Sequence, residues 1–112
     1  MKPESQRRAI AEACGWLRNH PTVFGSWIDP RDGRHYELPD YLNDLNAMHE
    51  AAKTLLPSEK QGYLYVLWEV TRASEFADIA EDADLRFAVV HATAAERAKA
   101  FLIAKGLWKE GE

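Results

Sequence analysis

Apolar positions recur at helical spacing in some stretches of this chain and gather into β-forming runs in others. Pro3 suits the first turn of a helix, where its missing N–H costs nothing. Ile10, Ala13 and Cys14 follow at helical spacing, and Gly15 supplies a stop. This spacing predicts a helix over 3–14. Trp16-Leu17-Arg18 then begins a strand. Val23-Phe24-Gly25-Ser26-Trp27-Ile28 is rich in β-formers, and Asp29-Pro30-Arg31-Asp32-Gly33 is turn chemistry. Arg34-His35-Tyr36-Glu37-Leu38 reads as the returning strand of a hairpin with a five-residue connection.

Asn43 or Asp44 can cap the next helix, whose apolar stripe is Leu45, Met48, Ala52, Leu55 and Leu56, with Pro57 as its end. Ser58 and Gln61 have the spacing of a capping box. Leu64, Leu67, Trp68 and Thr71 continue at helical spacing. Tyr63 to Trp68 also has the β-propensity of a buried strand, and the cap favours helix over that reading. The acidic stretch 74–84 reads as a loop or a frayed turn. Leu85, Phe87 and Val89 alternate as in a strand. Thr93 and Glu96 form a second capping box, opening a helix with Ala94, Ala98, Phe101 and Leu102 inward. Gly106 closes that helix, and Lys105 sits at its negative end.

The order is helix, strand, hairpin, helix, helix, strand, helix. Helices must cover a small sheet, so the expected class is α+β. The expected form is a compact α-β-α layered sandwich around a small mixed or antiparallel sheet, in one domain over residues 1–112. The length of 112 residues suits one core and no second one.

Composition narrows the function classes. The net charge is −4, and it is uneven: residues 1–36 carry +2 and residues 37–112 carry −6. Much of the acidic excess is Glu75, Asp78, Glu81, Asp82 and Asp84. A duplex nucleic-acid binder needs a concentrated basic face, so that class is not expected. The longest apolar stretch, Tyr63 to Trp68, is far shorter than the ~20 residues that cross a bilayer. The first eight residues lack the apolar run of a secretory signal, so no membrane partner or export is expected. A single cysteine, Cys14, excludes an internal disulfide and suits a reducing cytoplasm.

Three segments, 10–16, 39–51 and 92–108, together resemble the phage ABA sandwich domain family of small phage and prophage proteins. They are Ile10-Ala11-Glu12-Ala13-Cys14-Gly15-Trp16, Pro39-Asp40-Tyr41-Leu42-Asn43-Asp44-Leu45-Asn46-Ala47-Met48-His49-Glu50-Ala51, and Ala92 through Trp108. They amount to 37 of 112 residues, in the family's order. The resemblance implies an α-β-α layered fold and a place in the cytoplasm of a phage-infected or lysogenic bacterial host. It implies no established activity. The hairpin with Trp27 and the acidic loop depart from the family pattern.

Candidate chemistry is sparse. His20, His35, His49 and His91 do not pair at metal-ligand spacings, and one cysteine builds no thiolate site, so neither metal nor cofactor is expected. The acidic run at 78–84 lacks the glycine and terminal glutamate of a calcium loop. His20-Pro21-Thr22 and His91-Ala92-Thr93 are two H-x-T tripeptides of the kind two-histidine phosphoesterases use, with one imidazole as base and the other as acid. Against that reading, Thr93 already serves as a helix cap. Cys14 follows a helix C-terminus, whereas thiols are activated at N-termini.

The stronger signal is aromatic and basic. Trp16, Arg18, Phe24, Trp27, Arg31, Arg34, His35, Tyr36, Tyr41 and Asn43 gather around the hairpin and the start of the following helix. Aromatic faces stack on bases and arginine forks clasp phosphate, so these residues suit a nucleotide-type ligand. The leading expectation is a non-catalytic phage accessory protein, a counter-defence sponge that binds and sequesters a nucleotide-type host immune signal. The alternatives are a phosphodiesterase using His20, Thr22, His91 and Thr93, or a protein–protein inhibitor of a host factor. A surplus of large apolar side chains, including Trp27, Tyr63, Tyr65 and Trp108, points to a homodimer or a higher homo-oligomer.

Overall fold

The computed structural model describes residues 1–18, 27–33, 35–72 and 89–110, with the side chains of Arg18, His35, Tyr36 and Arg72 left aside. Among the described residues the chain is mostly helical. Helix α1 spans Pro3–Ala13, α2 Leu45–Ala52, α3 Pro57–Arg72 and α4 Ala94–Ala104. The extended segments are β1 (Leu17–Arg18), β2 (Trp27–Ile28) and β3 (His35–Tyr36), two residues each. They pair antiparallel in the order β1-β2-β3, with Trp27 opposite Arg18 and Tyr36.

The layered α-β-α sandwich is therefore the wrong architecture. Among the described residues the ribbon is two residues deep and gives no sheet face that helices could cover on both sides. Two of the expected strands, 34–38 and 85–90, depart from the expectation among the described residues. After Tyr36, the Leu38 and Pro39 carbonyls accept from the Arg7 guanidinium on α1 and not from a neighbouring strand, with Arg7 Nε 2.9 Å from the Pro39 oxygen. Val89 and Val90, expected in a strand, are helical. Arg97 donates to the Val89, Val90 and Ala92 carbonyls at 3.0–3.2 Å, satisfying acceptors at the end of that turn. Residues 63–70 are helix. The acidic stretch 74–84, the rest of the 85–90 strand and residues 23–26 of the hairpin lie outside the described residues.

The helix ends follow backbone hydrogen bonding. After α1 the Trp16 N–H donates to the Ala11 carbonyl at 3.0 Å and the Gly15 N–H to Glu12 at 3.1 Å. This paired closure needs a left-handed residue, and Gly15 supplies it with φ +93°. The same closure ends α4, where Gly106 has φ +73° and the Leu107 N–H reaches the Leu102 carbonyl at 2.8 Å. Asp44 caps α2 through the Asn46 and Ala47 N–H groups. The Thr93–Glu96 box is present in both directions.

Two boundaries differ from the sequence expectation. Helix α2 stops at Ala52, well before Pro57, because the Thr54 hydroxyl and N–H both turn back to the Ala51 carbonyl. Leu56 is thereby exposed and leaves the expected stripe. Pro57 begins α3 as its first residue, so Ser58 lies inside the helix and is no cap. Glu59, at the third position, instead accepts from the Leu56 N–H at 2.8 Å. It also meets Lys105 of α4 at 2.9 Å, joining two helices through a largely buried ion pair.

Helix α4 lies at the centre of the core. Ala94, Ala98, Phe101 and Leu102 are buried as expected, and Ala100 is buried on a further face. This helix packs against α3, α1 and α2. Alanines let neighbouring helices approach, while Phe101 and Leu102 fill the space between them together with Ile10, Met48 and Leu67. On α3 the buried stripe is Tyr63, Leu67 and Thr71. Of the four side chains expected to be in surplus, Trp27 and Tyr63 are core residues and Trp108 is half-buried against the core. Tyr65 alone of the four is exposed, at 65%.

The caps give opposed mutational outcomes. Thr93→Ala is expected to lose about 0.5–2 kcal/mol in urea unfolding, whereas Ser58→Ala is expected to stay within about 0.5 kcal/mol of the parent. Equal losses would restore Ser58 as a cap.

Candidate functional site

A cleft of about 310 Å³ opens where the end of α1, the hairpin turn and one face of α2 meet. That volume is at the lower end of the ~300–1,000 Å³ typical of small-ligand sites. Three local structures supply its walls. The Gly15 turn delivers Cys14 and Trp16, and Pro30 packs beside it, 3.5 Å from where a Gly15 Cβ would sit. The segment before α2 delivers Pro39 and Tyr41, held in place by the reach of Arg7 to the Leu38 and Pro39 carbonyls. Helix α2 presents Ala47, Glu50 and Ala51, with Lys53 and Thr54 just beyond its end.

The hairpin turn is organised by Asp29. Its side chain is only 4% exposed and accepts from the Arg31 backbone N–H at 2.8 Å, from Arg31 Nε at 3.2 Å and from Arg31 Nη2 at 2.9 Å. The Asp29 carbonyl also accepts from the Gly33 N–H at 2.9 Å. Hydrogen bonding from Arg31 holds the Asp29 carboxyl below its ordinary value against the opposing effect of burial. Arg31 in turn keeps its guanidinium 73% exposed at the mouth of the cleft. Across from it, Lys53 Nζ meets Glu50 Oε1 at 2.8 Å in an exposed pair. The mouth thus carries two cations, each beside a carboxylate.

Deeper in, the cleft is apolar and poorly reactive. Burial pushes the Tyr41 hydroxyl well above its ordinary value, Cys14 adds to that shift, and a hydrogen bond from the Trp16 side chain opposes it. Burial likewise pushes the Cys14 thiol up, and its contact with the Thr54 hydroxyl, 3.8 Å away, offsets only part of this. A thiol held in its neutral form is a weak nucleophile.

Trp16, Arg31 and Tyr41, named from sequence as ligand-binding candidates, come together in this cleft. Trp27 is packed in the core and does not line the cleft, whereas Trp16 and Tyr41, also core residues, each form part of its wall. Asn43 is exposed away from the cleft and donates to both Asp40 carboxylate oxygens at 3.1 Å. The side chains of Arg18, His35 and Tyr36, and Phe24 and Arg34 as whole residues, lie outside what is described, as do His20 and Thr22. His91 is exposed, and Thr93 has its hydroxyl committed to the Glu96 N–H; neither lines the cleft. No group of three or more potential metal ligands occurs among the described residues. No helix among them is long and apolar enough to cross a membrane.

Sequence reasoning missed Asp29, Glu50, Lys53 and Thr54 as cleft residues. Their signal was available in part. Glu50, Lys53 and Thr54 fall at three- and four-residue spacing within the longer helix that the sequence suggested up to Pro57, and Asp29 occupies the side-chain-capping position of its turn. No family model, no curated protein and no solved structure matches this chain. The functional reading therefore rests on the cleft itself.

Burial of Cys14 has a direct consequence. At neutral pH the folded chain is expected to react with a thiol-specific disulfide reagent about tenfold more slowly than the denatured chain. Equal rates would show a thiol that is neither buried nor held neutral.

Proposed function

We propose that this chain is a non-catalytic binding protein whose cleft takes a small phosphorylated aromatic ligand of nucleotide type. The observation that carries the reading is the convergence of Trp16, Arg31 and Tyr41, far apart in sequence, on one small cleft with Lys53 at its mouth. Tyr41, Trp16, Pro30 and Pro39 give an apolar wall suited to a ring system, and Arg31 and Lys53 give donors suited to a phosphate. Arg31 is pre-oriented by Asp29, which lowers the conformational cost of using its fork.

The reading as a binder and not an enzyme is supported by the same geometry. The cleft offers a neutral thiol and a phenol whose ionisation is suppressed, neither of which is poised to move a proton near pH 7. The carboxylates Asp29 and Glu50 are both engaged by cations. A cleft that binds such a ligand without a group poised to move a proton would sequester a nucleotide-type signal and not consume it.

Calorimetric titration with ribonucleoside 5′-monophosphates and 3′,5′-cyclic monophosphates tests this reading. At least one is expected to bind below about 0.1 mM, to return intact after heat release, and to lose tenfold or more, about 1.4 kcal/mol, in Lys53→Glu. Absence of binding across the series, or binding indifferent to Lys53→Glu, would overturn the assignment. A ligand returned cleaved would make the protein an enzyme.

A further inference from the structure

The charge arrangement at the mouth goes beyond the presence of phosphate donors. Resting on the reading of the cleft as a phosphate-accepting site, we infer that Glu50 selects ligands of low charge. The cleft would accept a phosphodiester or a single phosphate and discriminate against di- and triphosphates.

The inference follows from the position of each charge. Arg31 and Lys53 are the cations lining the cleft, and Asp29 and Glu50 are its carboxylates. The four formal charges therefore cancel. Asp29 cannot withdraw, since it is buried and fixed by three bonds to Arg31. Glu50 is exposed, pairs with Lys53 at 2.8 Å, and is also close enough for Arg31 and Lys53 both to influence its ionisation. Glu50 thus lines the cleft from α2 in contact with Lys53, while Arg31 lines it from the hairpin turn.

Donors nonetheless remain for one phosphate. Asp29 engages Nε and Nη2 of Arg31, and Lys53 gives one of its three N–H bonds to Glu50. The remaining hydrogens of both groups meet no acceptor among the described residues. A singly charged phosphodiester can take these donors without disturbing either ion pair. Each further negative charge on a ligand would lose hydration beside the Asp29 and Glu50 carboxylates without a cation left to repay it, so it is disfavoured and not merely unrewarded. Sites that bind triphosphates carry an excess of cationic or metal charge to offset them, and this cleft has none among its described lining residues.

The test compares cyclic mono-, mono- and triphosphates of all four ribonucleosides, titrated without divalent cations at low ionic strength, where exposed charges are least screened. For any base that binds, the cyclic monophosphate is expected to bind at least about tenfold tighter than the triphosphate. In Glu50→Gln the gap should narrow to about threefold or less, because triphosphate affinity rises most. A triphosphate that binds the parent as tightly as the cyclic monophosphate would overturn the inference while leaving the cleft reading intact. A gap unchanged in Glu50→Gln would remove Glu50 as its cause and overturn it equally. Failure of every compound to bind would overturn both.

Discussion

At the end of α1 the Trp16 N–H returns to the Ala11 carbonyl at 3.0 Å, and the bond requires the intervening residue to hold a left-handed conformation. Gly15 meets that requirement at φ +93°. A side chain there would cost about 1–2 kcal/mol from backbone conformation, with its contact to Pro30 at an ordinary packing distance. Much of the molecule follows from this turn. It sends Trp16 into the core beside Ala11, leaves Cys14 against Thr54 just after α2, and starts β1 alongside β2. The hairpin turn then packs on Gly15 through Pro30, and the cleft is the space left between these elements and α2.

The second constraint is the burial of α4 among α1, α2 and α3. A helix with buried residues on more than one face must be surrounded, and the other helices are arranged to surround it. Its ends are tied by local bonds, the Thr93–Glu96 box at one end and the Gly106 closure at the other. The Glu59–Lys105 pair adds a cross-link between α3 and α4. With α4 fixed, α1 and α2 are held beside one another, and the two sides of the cleft keep their spacing without a sheet between them.

Legibility in the sequence followed the range of the interaction. Helix stops at Gly15 and Gly106, the Asp44 cap and the Thr93–Glu96 box are local hydrogen-bond patterns, and each could be read from a few adjacent residues. So could the existence of the hairpin, from its Asp29–Gly33 turn residues, though not its register, in which Ile28 pairs with His35. Strand length was not legible, because Arg7 captures the Leu38 and Pro39 carbonyls from more than thirty positions away. That contact ends the ribbon early and removes the basis for a layered sandwich. Pro57 was ambiguous for a different reason: proline breaks a preceding helix and starts a following one equally well. In the cleft, Trp16, Arg31 and Tyr41 stood out by type. Asp29, Glu50, Lys53 and Thr54 matter by position, which only the packing of α2 against the Gly15 turn reveals.

The central claim is that this cleft, built by the Gly15 turn, the Asp29 turn and α2, is where a ligand binds. Amide chemical shifts followed by NMR during titration with a nucleoside 3′,5′-cyclic monophosphate test it without altering a residue. The account predicts saturable shifts at residues 14–16, 29, 31, 41 and 47–54, with the outer face of α3 around Tyr65 unaffected. Shifts centred on α3, or no saturable shift at all, would contradict it.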